Sequence, residues 1–205
     1  MSGIAGVILA GGRSARMGGG DKFLRPLGGR LLLAHVIERL RPQVAALAIN
    51  ANVDPARLES FGLPVIPDTL PEMGPLGGVL AALRWAQESP REYRHVATVA
   101  CDTPFFPHDL VAELRAATDA SENIVQARSG GRIHPTFALW PLSLAGKLEI
   151  FLRRQGPASM RAFAGGHHPA TAVDFAPEAG HDPFFNINTP SDLEAAEQMA
   201  GKAAT

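Results

Sequence analysis

The chain has 205 residues, enough for one well-formed hydrophobic core and too few for two ordinary enzyme domains. Hydrophobic residues make up 46% and charged residues 19%, which excludes both a disordered acidic chain and a membrane protein. With 19 Lys and Arg against 20 Asp and Glu, the net charge of -1 gives no overall positive field for nucleic acid or an anionic membrane, so any polyanion must be met locally.

Short runs rich in Val, Ile, Leu and Ala alternate with longer amphipathic stretches, the pattern of βαβ units around a sheet buried on both faces. The expected fold class is α/β: a Rossmann-like three-layer α/β/α sandwich with a mostly parallel mixed sheet. In chain order the pattern predicts a strand at 4–10, a helix at 31–40, a strand at 44–50, a helix at 55–61 and a strand at 63–66. A helix at 76–88 follows, opened by Pro75 and closed by Ser89-Pro90, then a strand at 95–101 and a helix at 107–117 begun by Pro107. Strands at 123–128 and 132–140 are joined by Ser129-Gly130-Gly131, a hairpin-like addition to the sheet. Helices at 142–153 and 158–163, a strand at 171–175, and a helix at 191–199 capped by Ser191 or Thr189 complete the chain, with 201–205 expected as a frayed tail.

Cys101 is the only cysteine, so intramolecular disulfides and cysteine-rich zinc frameworks are excluded and a reducing cytoplasm is the expected compartment. The first residues lack the basic start of a signal peptide. At the end of its strand, Cys101 is expected to be a small core residue facing away from its neighbour Asp102.

Three loops at the carboxyl ends of predicted strands, where open α/β sheets bind ligands, carry the chemistry. The first is the run from Leu9 and Ala10 through Gly11, Gly12, Arg13, Ser14, Ala15, Arg16, Met17, Gly18, Gly19, Gly20 and Asp21 to Lys22. Its glycines let backbone N–H groups approach a ligand, and Arg13, Arg16 and Lys22 supply cations. Five basic residues and one acid between positions 11 and 30 make a local +4, as a triphosphate requires. Lys22 is one of only three lysines. Two other phosphate loops fail on spacing: a Walker A loop needs glycine before its lysine, where Asp21 stands, and a dinucleotide fingerprint from Gly18 reaches Phe23 at its third glycine. A nucleophile elbow around Ser14 fails at Arg16.

Asp102, in Cys101-Asp102-Thr103-Pro104, is a carboxylate suited to hold a Mg²⁺ bridging phosphates, against the plainer reading of a turn or cap. Asp68 ends another strand, and Gly74-Pro75-Leu76-Gly77-Gly78 opens a helix whose N-terminus can approach ribose or phosphate; capping and tight packing explain these residues equally well. Asn50 and Asn52 end the second strand, where an amide pair can read a base edge. His134-Pro135 suggests an edge strand facing the crevice, because proline interrupts sheet pairing. His167-His168 lack the spacing of a helical zinc pair and read as surface residues, and Trp85, Trp140 and the phenylalanines read as core.

The opening motif resembles that of the nucleotide-diphosphate-sugar transferase superfamily. With Asn50-Ala51-Asn52, Gly74-Pro75-Leu76-Gly77-Gly78, Cys101-Asp102-Thr103-Pro104, His134-Pro135-Thr136 and Phe185-Asn186-Ile187-Asn188-Thr189-Pro190, the chain is similar to the molybdenum cofactor guanylyltransferase family over residues 4 to about 197. The resemblance implies one nucleotidyltransferase domain at 1–200 that transfers GMP from GTP to molybdopterin with Mg²⁺. It implies nucleotide contacts at Leu9, Ala10, Gly11, Gly12, Arg13, Lys22, Asn50, Asp68, Gly77 and Asp102, catalytic roles for Arg16, Lys22 and Asp102, and Asp102 as metal ligand. The acceptor side falls on His134, Asn186 and Asn188. Molybdenum-insertion proteins and molybdoenzyme chaperones are the implied protein partners, with no nucleic acid and no membrane. One departure lies at 155–161, where relatives are expected to be more basic; Arg153, Arg154 and Arg161 remain.

Chemistry agrees with the resemblance. A phosphate monoester has its second pKa near 6, so the acceptor is already a nucleophile at neutral pH and no general base is needed. The alternatives are cytidylyl transfer to molybdopterin, nucleotidyl transfer to a sugar phosphate, and a nucleotide-binding sensor without catalysis.

Overall fold

Residues 3–11, 22–118, 122–177 and 180–203 are described by the computed structural model. Its main sheet is built around β1 (Gly3–Leu9), flanked on both sides by parallel strands, β4 (Ala46–Asn50) and β6 (Tyr93–Ala100). β5 (Val65–Ile66) pairs with β4 at one edge. Beyond β6 the sheet continues through β8 (Arg132–Pro141), antiparallel to both its neighbours, then β7 (Ile124–Ser129) and β9 (Ala170–Asp174), giving the order β5-β4-β1-β6-β8-β7-β9. A separate short hairpin joins β2 (Pro26–Leu27) to β3 (Arg30–Leu31).

Strand alternation divides the apolar residues between two layers. Ile4 and Ile8 of β1 join one cluster with Leu33, Val36 and Leu40 of α1 (Leu32–Leu40) and Leu110 and Leu114 of α3 (Leu110–Ala116). Ala5 and Val7 point the other way, into a cluster with α2 (Pro75–Glu88), α4 (Ala145–Gln155) and α5 (Met160–Phe163). This is the expected three-layer arrangement. α2 shows that packing outweighs propensity. Gly77 and Gly78 each cost a helix about 1 kcal/mol relative to alanine, but the fully buried Leu76, Val79, Leu80 and Leu83 each return roughly 1.5–3 kcal/mol. Pro75 sits at the first turn, where its missing N–H is not needed. α6 (Pro190–Ala203) rests on a small third cluster with Leu27, Leu32, Ile187 and Ala196.

Several details differ from the sequence reading. Residues Pro55–Phe61 form a 3-10 helix, not an α-helix, ended by Gly62 at φ 61°. α3 begins at Leu110 instead of 107, because residues 107–109 are used in a turn in which Leu110 N–H donates to the Pro107 carbonyl. The β2–β3 hairpin was not expected; Gly28 and Gly29 turn it at φ 57° and 78°. The edge-strand reading of His134-Pro135 is corrected: β8 lies between β6 and β7, and Pro135 is accommodated by a register shift, Gln126 facing Ala138 while Ala127 faces His134. α6 runs to Ala203, past the expected end at 199. Thr189 is the cap: its Oγ1 accepts from Asp192 N–H, while the Asp192 carboxylate accepts from Thr189 N–H.

Trp140 is fully buried and its indole N–H donates to Thr98 Oγ1 at 2.9 Å; Cys101 is a buried core residue, as expected. His167 is exposed and tilts against Phe151, and His168 Nε2 lies 3.1 Å from the Glu122 carbonyl. No helix among the described residues is long and apolar enough to cross a membrane.

Gln126 of β7 is buried, yet its Nε2 has no partner among the described residues. An unsatisfied buried amide costs roughly 1–3 kcal/mol, so Gln126→Met, which conserves volume, is expected to raise stability by about 1 kcal/mol. Urea unfolding checks this; a midpoint that stays put or falls means the amide is satisfied.

Candidate functional site at the carboxyl edge of the sheet

The carboxyl ends of β1, β4, β5 and β6 meet along one crevice. Leu9 and Ala10 hold its centre: Ala10 N–H donates to the Asn50 carbonyl at 2.8 Å, and Cys101 N–H donates to the Leu9 carbonyl at 3.2 Å. The chain therefore leaves the sheet at Ala10 and Gly11, between the β4 and β6 ends, with Gly11 exposed.

On the β4–β5 side, three side chains form a bracket. Asn50 donates through Nδ2 to Asp68 Oδ1 at 2.9 Å and to the Ile66 carbonyl at 3.1 Å. Asn52 donates to Asp68 Oδ2 at 2.8 Å and accepts from Asp68 N–H at 2.8 Å. Asp68 is thus held by an amide on each oxygen, and each carboxylate oxygen has a second lone pair for a ligand donor. Asn50 is 3% exposed, so it orients Asp68 from within the wall. The first turn of α2 packs against this bracket: a Cβ on Gly77 would lie 3.3 Å from Asp68 Oδ2.

On the β6 side, Asp102 is half-buried at the strand end, with Thr103 Oγ1 donating to its Oδ1 at 3.3 Å. Its carbonyl accepts from Ile187 N–H at 2.9 Å, so the segment carrying Asn186 and Asn188, both exposed, is fastened directly beside Asp102. His134 reaches the same region from β8. It is 8% exposed, and burial pushes its imidazole pKa down against the opposing pull of Asp182, keeping the ring neutral at pH 7. At the far lip Arg128 Nε donates to Asp174 Oδ1 at 2.6 Å, holding the Asp174 carboxyl below its ordinary range and committing that cation to its partner.

Of the sequence-predicted residues, Leu9, Ala10, Gly11, Asn50, Asp68, Gly77 and Asp102 thus share the crevice, and Asn186, Asn188 and His134 border it. Gly12, Arg13 and Arg16 lie outside the described residues; Lys22 begins a 3-10 turn, Lys22–Leu24, and its side chain is not described. Sequence reasoning missed Ser129 and Asp182, which bond to each other at 2.7 Å across 53 residues. Among the described residues no three His, Cys, Asp or Glu side chains cluster as a metal site. The single half-buried carboxylate of Asp102 fits Mg²⁺, which is commonly held by one or two carboxylates together with substrate phosphates and water.

Residues 6–171 match the MobA-like NTP transferase domain family. The chain is 50% identical over 196 residues to the molybdenum cofactor guanylyltransferase of Rhizobium meliloti, covering 93% of this chain and 89% of that one. It is 47% identical over 199 residues to the protein of the same name from Mesorhizobium japonicum, covering 96% and 95%. Among solved structures, the molybdopterin-guanine dinucleotide biosynthesis protein A of Archaeoglobus fulgidus has a similar fold, with TM-score 0.76 and 22% identity over 97% of this chain and 100% of that one.

Proposed function

The chain belongs to the MobA-like NTP transferase family, and from that premise we propose that it transfers GMP from GTP to the terminal phosphate of molybdopterin, with release of pyrophosphate. An acceptor phosphate oxygen attacks the α-phosphorus of GTP; the new anhydride bond forms as the bond from the α-phosphorus to the β-phosphate oxygen breaks. The observation that supports this reading is the bond from Ile187 N–H to the Asp102 carbonyl, which ties the loop carrying Asn186 and Asn188 to the strand end carrying Asp102.

In this reading Leu9, Ala10 and Gly11 meet the base through main-chain groups. Asp68, held by Asn50 and Asn52 and backed by Gly77, accepts from nucleotide donors. Gly12, Arg13, Arg16 and Lys22 take the phosphates, and Arg16 and Lys22 offset charge on the leaving pyrophosphate. Asp102 holds Mg²⁺, which when bound draws charge from the triphosphate. Asn186, Asn188 and His134 orient the acceptor. Catalysis then rests on positioning and electrostatics, with no general base. A cytoplasmic location, exchange with molybdenum-insertion proteins or molybdoenzyme chaperones, and a single catalytic domain over 1–200 belong to the same proposal.

The test is incubation of the purified protein with molybdopterin, Mg²⁺ and each labelled NTP. GTP-selective release of pyrophosphate with formation of the dinucleotide is expected. CTP-selective turnover overturns the base assignment, transfer only to a sugar phosphate overturns the acceptor, and nucleotide binding without turnover means a sensor.

A further inference from the structure

A chain of three side chains ties the β7–β8 hairpin to the loop beside Asp102. Asp182 Oδ1 accepts from Ser129 Oγ at 2.7 Å and from Phe184 N–H at 2.9 Å. Ser129 Oγ also lies 2.8 Å from His134 Nε2. A carboxylate only accepts and a serine has one hydroxyl proton, so that proton goes to Asp182 and Ser129 must accept from His134. The imidazole proton is thereby fixed on Nε2. The His134 ring in turn stacks on Phe184, with centroids 4.6 Å apart and planes at 24°.

The consequence falls on residues 184–188. Their start is held by Asp182 and by the His134 ring, and Ile187 is held by the Asp102 carbonyl, so Asn186 is suspended between two anchors. We propose that Asp182, Ser129 and His134 form a positioning relay that sets the depth of residues 184–188 in the crevice, and so controls binding of the phosphorylated acceptor while leaving nucleotide binding unchanged. The relay deepens the reading above, since it rests on Asn186 and Asn188 meeting the acceptor. The bracket of Asn50, Asn52 and Asp68 lies on the other side of β1, and among the described residues no hydrogen bond joins it to the relay.

The test uses Ser129→Ala and Asp182→Ala, with Ser129→Thr and Asp182→Asn as variants that keep the hydroxyl and the accepting oxygen. Losing a hydrogen bond to a charged group is expected to raise KM for molybdopterin about tenfold. KM for GTP should stay within about twofold, the conservative variants should recover most of the loss, and the double alanine variant should be little worse than either single one, because both cut the same chain. Unchanged acceptor KM, or equal rises for both substrates, overturns the relay. A second readout is independent of turnover: exchange of the Ile187 amide, protected by Asp102, should accelerate about tenfold in both alanine variants. If the parental protein does not use molybdopterin, the assigned reaction fails, and unchanged Ile187 exchange still overturns the relay by itself.

Discussion

Asp102→Ala is expected to lower GMP transfer by about a thousandfold, roughly 4 kcal/mol of transition-state stabilisation, while the protein remains folded. The argument has two parts. The carboxylate stands where β6 ends, beside the end of β1 at Leu9 and beside the loop that carries Asn186 and Asn188. A triphosphate and an acceptor phosphate brought together there repel each other strongly, and a carboxylate-held divalent cation relieves that repulsion. The bond that fastens the loop carrying Asn186 and Asn188 is accepted by the Asp102 carbonyl, which alanine keeps. Stability should therefore change by no more than about 1 kcal/mol, as is usual for a half-exposed polar site. Steady-state kinetics with Mg²⁺ in excess, together with thermal unfolding, checks both halves. Turnover within tenfold of the parental protein removes Asp102 from the chemistry, and loss of folding makes it a structural residue.

Asp68 and Asp102 were legible in the sequence because each follows an apolar run that ends at a turn, and the alternation of strands and helices put those ends on one edge of the sheet. Local signals also carried the α2 boundaries and the Thr189 cap. Other features depend on tertiary pairing. Pro135 argued for an edge strand, yet a register shift within the β7–β8 ladder lets β8 stay inside the sheet. Gly28-Gly29 was a usable hairpin signal, masked because Pro26 stands in one of the two short strands. Ser129 and Asp182 have no local mark: their bond closes 53 residues of chain. Asn50 was read as a nucleotide contact from its place at a strand end; the structure also bonds its amide to Asp68 and Ile66, a support role that spacing does not reveal.

That support role has a sharp test in Gly78. A helix interior ordinarily gains about 1 kcal/mol when glycine becomes alanine, so propensity alone makes Gly78→Ala stabilising. The surroundings reverse the sign. A Cβ at Gly78 would lie 2.3 Å from Asn50 Oδ1 and 3.1 Å from both Asn50 Cγ and Leu9 Cδ2. Asn50 has no room to yield, being buried and bonded through Nδ2 to both the Ile66 carbonyl and Asp68 Oδ1. Overpacking costs roughly 1–3 kcal/mol, and displacing Asn50 leaves a buried amide and carbonyl short of partners at a further ~1–3 kcal/mol. The net expectation is destabilisation by about 2 kcal/mol, a fall in Tm of roughly 4–8 °C for a chain of this size. GTP binding should weaken about tenfold as well, because Asp68 loses the amide that orients it. Gly146→Ala in α4 is the contrast: nothing lies within 4 Å of its added Cβ, so a neutral or slightly positive change is expected. If Gly78→Ala raises Tm as propensity predicts, or lowers it with GTP affinity intact, then Asn50 does not orient Asp68 for the nucleotide.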